Sequence, residues 1–164
     1  MLARHALGRN DAIAVQGGEM QLWPAGPVQL DAEEFEHRAD TALAQRDAAA
    51  CADVAHAYGG TLLPGSVYES WTVAARERLR GRHLELLRMA GLWDELVTLE
   101  PTDEPAHRVL MQRELQAGNR AAALRWHAHL REALQESLGV LPERETQALY
   151  DKAGIDPLAG EEWQ

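Results

Sequence analysis

The chain has 164 residues, 46% of them apolar and 26% charged, which is ordinary globular usage and excludes a disordered or collagen-like polymer. Its longest stretch without Asp, Glu, Lys, Arg or His is the 12 residues from Ala57 to Tyr68, short of the ~20 that a membrane span needs. The net charge of −10 opposes non-specific affinity for phosphate backbones, so DNA binding by this chain alone is disfavoured. No apolar run follows the basic residues of the opening MLARHALGRND, and Cys51 is the sole cysteine. These features predict a reducing, cytoplasmic setting with no secretory signal, no membrane partner and no internal disulfide.

In chain order, LARHALG reads as the last turns of a helix closed by Gly8. AIAVQGGEMQLW at 12–23 then places two short apolar runs around Gly17-Gly18, a hairpin signal. A two-residue loop there pairs Ile13 with Leu22 and Val15 with Met20, and all four share one face that needs cover. Trp23 lies on the opposite face and is a candidate interface residue.

After PAGP at 24–27 the period becomes helical. Asp31 with Glu34 reads as a capping box, with Phe35, Ala39, Ala42 and Leu43 on one face. Asp47 caps a second helix bearing Cys51, Val54, Ala55 and Tyr58, and Gly59-Gly60 end it. A long third helix is predicted over about 68–90, its stripe Ala75, Leu79, His83, Leu86 and Ala90, with Gly91 as its stop. A short helix follows over 92–99, and Pro101, Asp103 and Pro105 mark the next start. Helices over 104–117 and 120–138 form a hairpin across Gly118-Asn119, and a last helix runs from Pro142 to about Ala153.

Successive antiparallel helix pairs are a tetratricopeptide pattern, with a period of about 34 residues. The clearest unit spans 104–137, where Leu110, Met111 and Leu115 fill the first helix's inner face, Ala123 marks the helix crossing, and Trp126-His127 supply bulk on the second helix. The predicted fold is mainly α, a tetratricopeptide-like helical repeat (α-solenoid) preceded by a short β-hairpin. The divisions are 1–30, 31–154 and a tail over 155–164.

Chemistry-bearing residues read mostly as structure. His127 and His129 point about 200° apart on a helix and cannot share a metal. His83 lies on an apolar stripe, and Cys51 on a small-residue face. The acids of EEFE and DELVTLE read as solvated faces. The glycines of YGGTLLPG lack the lysine of a phosphate loop. Arg76, Arg78, Arg80 and Arg82 form a basic flank that Glu77 and Glu85 can pair. Trp71, Trp93 and Trp126 are assigned to the core. No catalytic residue, metal site or cofactor is predicted, and the chain is not read as an enzyme.

Three strings, YGGTLLPGSVYESW at 58–71, EPTDEPAHRVLMQRELQAGNRAAALRW at 100–126 and LGVLPERETQALY at 138–150, make the chain resemble a known family. It is similar to the bacterial transcriptional activator domain of Streptomyces antibiotic regulatory protein-type regulators, over about residues 2–153. In that family a winged-helix DNA-binding domain precedes a tetratricopeptide-like activator domain. LARHALGRNDAIAVQGGEMQLW resembles the winged helix's last part, the end of the recognition helix and the wing. The resemblance implies a transcription regulator module acting through protein–protein contacts, its partner being RNA polymerase or another domain of the same regulator. DNA is a partner only with the complete winged helix.

This reading makes Arg4, His5 and Arg9 DNA-backbone candidates, and Arg108 and Gln112, with Arg76, Arg80 and Trp23, protein-partner candidates. Pairing of the hairpin with a second chain, giving a homodimer, is one way to cover its apolar face. The rival reading is a general tetratricopeptide adaptor unrelated to transcription.

Overall fold

The computed structural model describes residues 13–22, 30–66 and 70–154. Two antiparallel strands, β1 (Ile13–Gln16) and β2 (Glu19–Leu22), pair Ile13 with Leu22 and Val15 with Met20, the register expected from the glycine pair. Gly17 and Gly18 both have positive φ, 63° and 87°, which a two-residue turn between right-twisted strands requires. The expected cover of the hairpin's apolar face is incomplete. Ile13 is buried, whereas Val15 and Met20, next to the turn, stand 63% and 71% exposed.

Seven helices follow among the described residues: α1 (Asp31–Gln45), α2 (Ala48–His56), α3 (Ser70–Ala90), α4 (Trp93–Leu99), α5 (Glu104–Gln116), α6 (Arg120–Ser137) and α7 (Arg144–Gly154). A 3-10 turn, Pro64–Ser66, lies between α2 and α3. The fold is mainly helical, as the periodicity predicts.

Local chemistry explains most boundaries. The Asp47 carboxylate accepts from the amides of Ala49 at 2.9 Å and Ala50 at 3.2 Å, a cap worth about 1 kcal/mol. The Asp103 carboxylate accepts from Ala106 N–H at 2.9 Å, with Pro105 in the first turn. Gly91 ends α3 at φ 73°: its N–H donates to Arg88 O and that of Leu92 to Leu87 O, a double closure that glycine permits without strain.

Two starts differ from expectation. The α1 N-cap is Leu30, and Asp31 lies inside the first turn, where its carboxylate accepts only from the adjacent Ala32 N–H. Asp31, Glu33 and Glu34 act there as charges at the helix's positive end rather than as a capping box. Pro142 does not open α7, which begins two residues later at Arg144, because the preceding Glu143 is fixed from α5.

α1, α2 and α3 pack on one another, α4 joins α3 to α5, and α5, α6 and α7 form the second group. Leu86, Leu87, Leu96 and Leu110 are fully enclosed in a core that runs from α1 to α5. Met111, Ala123 and Ala153 form a second cluster, and Trp126 packs against both. Since α3 touches α1, α2 and α4, its buried face is wider than a single stripe and takes in Leu84 and Leu87. The expected core placement of Trp71 fails: the first turn of α3 directs Thr72 inward and leaves Trp71 66% exposed. Trp93 and Trp126 are half-buried against the core, as expected.

Candidate functional site

The string at 58–71 forms a locked loop. The Tyr58 ring lies between Phe35 and His83, with centroid distances of 4.9 and 4.4 Å. Arg76 donates from Nε to Leu62 O and from Nη2 to Leu63 O, both at 2.7 Å, holding Leu63 at a φ of 49° that side chains seldom adopt. A groove of about 470 Å³ opens beside this loop, with Tyr58, Thr61, Arg76, Arg80, His83 and Leu99 among its lining residues. Burial raises the Tyr58 pKa above its ordinary value and lowers that of His83.

The arginine row of α3 ties helices together. Arg78 pairs with Glu36 of α1, and Arg82 with Asp40 of α1 and Glu85 of α3, the latter two at 2.9 Å. Arg80 pairs with Glu100 and donates to Leu99 O at 3.1 Å. Of the two expected partners on α3 itself, Glu85 serves; Glu36, Asp40 and Glu100 come from other elements and carry no local sequence signal. The acids of EEFE and DELVTLE are therefore used as well as solvated. Asp94 is held below the usual carboxylate range by the hydrogen bond from Arg113, at 2.9 Å.

Between α5 and α7 lies a buried polar junction. The Glu104 carboxylate accepts from Glu143 N–H at 2.9 Å and from Thr146 Oγ1 at 2.7 Å. Arg108 closes the set, donating to Glu143 at 2.8 Å and to Thr146 at 3.1 Å. Thr146 is fully buried and Glu104 nearly so. Glu104 thus supplies from α5 the acceptor that the start of α7 needs. The junction joins EPTDEPAHR to LPERET, two of the strings that carry the family resemblance.

The histidines divide by burial. His107 and His127 are buried, and burial pushes both below the ordinary imidazole value. His107 Nδ1 lies 3.0 Å from Asp103 O, whereas His127 stacks on Tyr150 at 4.3 Å and its buried Nε2 has no hydrogen-bond partner among the described residues. His129 is exposed, and no group of three His, Cys, Asp or Glu side chains suited to a metal occurs among the described residues. Cys51 is fully buried, and burial raises its thiol pKa.

Of the partner candidates read from the sequence, Arg76 and Arg80 thus meet at the groove by the locked loop, and Arg108 sits in the α5–α7 junction. Gln112 lines a different groove, between α5 and α7. Arg4, His5, Arg9 and Trp23 lie outside the described residues.

The fold defines a class: an antiparallel helical-repeat module whose neighbouring helices are fastened by carboxylate caps and arginine ties. Residues 81–153, a little under half of the chain, running from the second half of α3 into α7, match the family model of the bacterial transcriptional activator domain, to which the chain is similar over that stretch. The match supports a module of the transcription-activator type. No curated protein and no solved structure matches the chain significantly. Among the described residues no helix is long and apolar enough to cross a membrane.

Proposed function

We propose that the helical body acts in transcription by contacting a protein, either RNA polymerase or another domain of the same regulator, while a winged helix supplies DNA binding. The observation that carries this reading is the coincidence of the family match over 81–153 with a rigid set of interlocked helices. The chemistry offered is recognition, because the buried Cys51 and His127 are shielded from substrates and many acids are engaged in ion pairs. We read the chain as non-catalytic and cytoplasmic on the same grounds as the sequence argument.

Two measurements test the proposal together. A gel shift with residues 1–164 is expected to show no sequence-selective DNA binding at physiological salt, because a body of net charge −10 repels phosphate. Purified RNA polymerase titrated against the same protein is expected to bind through the helical body. Tight, sequence-selective DNA binding by this chain would overturn the division of labour. A general adaptor would bind peptides and leave transcription unchanged when tethered to a promoter.

A further inference from the structure

Two grooves lie side by side along α3 with one stretch of chain between them. The groove of about 470 Å³ takes Arg76, Arg80 and His83 from that helix. Its neighbour, of about 400 Å³, takes Leu79 from α3 and Phe35 from α1. Tyr58, Gly60 and Thr61 line both, so the chain from Gly59 to Leu63 is the wall that separates them. Little packing holds this wall. Residues 59–63 belong to no helix or strand, and Leu62 is half-buried while Gly59, Gly60, Thr61 and Leu63 are exposed. Its tie to α3 is the guanidinium of Arg76, which donates to two successive carbonyls, Leu62 O and Leu63 O.

The backbone held by that tie is not one that Leu63 adopts on its own. Its φ of 49° lies in the left-handed region, disfavoured for a branched side chain. Leu63 also precedes Pro64, whose ring steers the residue before it to extended backbone. At the other end Gly60 turns with φ 93°, and a side chain there would meet nothing within 4 Å, so this position can pivot. Beyond the two ends, the Tyr58 ring is stacked between Phe35 and His83, and Pro64 enters the 3-10 turn.

We propose that residues 59–63 are a two-position strap: latched by Arg76 it divides the two grooves, and released, with Leu63 in extended backbone, it joins them into one cleft along α3. The anchored ends confine the motion to the strap. Arg76 is the latch because its planar fork reaches both carbonyls at once, which a lysine ammonium on a flexible stem does not reproduce. Strain at Leu63 supplies the bias toward release that the two hydrogen bonds offset.

Amide ¹⁵N relaxation on the full chain tests this. In the wild type Thr61, Leu62 and Leu63 are expected to be as ordered as the helices, with order parameters of about 0.85. Arg76→Lys should bring them below about 0.6 and leave α5 and α6 unchanged. Adding Leu63→Asn to Arg76→Lys should restore at least about half of the loss, because asparagine tolerates a positive φ. Paramagnetic relaxation of the Leu79 methyls by a soluble gadolinium chelate should rise in Arg76→Lys, as the opened cleft admits the probe. A strap as ordered in Arg76→Lys as in the wild type overturns the latch, and a loss untouched by Leu63→Asn overturns the role of strain. Disorder spread through α1, α2 and α3 would make Arg76 a support of the whole fold and overturn the strap. A mobile strap with Leu79 still shielded overturns the joining of the grooves.

Discussion

Glu104 Oε2 accepts a hydrogen bond from Thr146 Oγ1 at 2.7 Å across 42 residues of chain, and this contact fixes where α7 begins. The same carboxylate takes the Glu143 N–H, so one side chain on α5 performs the capping that α7's own sequence leaves undone. Removing either partner strands a buried polar group. Glu104→Ala is expected to cost about 3 kcal/mol and Thr146→Val about 1–2 kcal/mol in urea unfolding. The pair should be non-additive in a double-mutant cycle. Strict additivity would show that the two do not act as one junction.

Leu110 and Arg108, two positions apart on α5, separate core from junction. Leu110 is fully buried, and Leu110→Asp should cost several kcal/mol by leaving a buried charge. Arg108 is half-buried with Glu104 and Glu143 beside it, so Arg108→Asp places a third carboxylate among two. Its cost should fall between that of Leu110→Asp and the roughly ±0.5 kcal/mol of an open surface change such as Arg131→Asp. Melting temperatures in the order Arg131→Asp, Arg108→Asp, Leu110→Asp, highest to lowest, are expected.

Acid should loosen the fold through the two buried histidines. Burial keeps the folded-state pKa of His107 and His127 below the ordinary 6.5. The unfolded chain therefore takes up protons first as pH falls. Their contribution to stability is complete above about pH 7 and is lost as pH descends through 6.5 toward their lower folded values. The groups facing His127, Arg131 on its own helix with Asp151 and Glu104 opposite, modulate this. Urea midpoints at pH 7.5 and 5.5 should differ less in His127→Phe than in the wild type. An unchanged difference would remove His127 from the account.

Cys51 offers a check on the first core group. Enclosed and with its thiol pKa raised, it is a poor thiolate source. Native protein should resist iodoacetamide alkylation under conditions that modify the urea-unfolded chain within minutes. Rapid native labelling would mean that α2 does not pack as described.

The hairpin register, the Asp47 cap, the helix start near Asp103, the Gly91 stop and the inner face of α5 were all legible in the sequence, because each follows from nearby residues with a definite backbone preference. Trp71 was not, since its exposure depends on which side of α3 meets α1 and α2. The Glu104–Thr146 contact was also out of reach: the signal lies in a tertiary pairing, and Glu104 alone resembles any acid in a first turn. The arginine row was visible as charge, but its partners Glu36, Asp40 and Glu100 became apparent only when the helices were packed. Of the partner candidates, Gln112 could be set beside a groove only once α5 and α7 were packed together.

Promoter tethering tests the central claim most directly. The full chain, fused to a heterologous DNA-binding domain whose operator lies upstream of a weak promoter, should raise reporter transcription in bacteria. The same fusion carrying Leu110→Asp should lose that activity along with its fold. Unaltered transcription by the folded wild-type fusion, with the DNA-binding domain shown to occupy its operator, would contradict the account and favour a general adaptor.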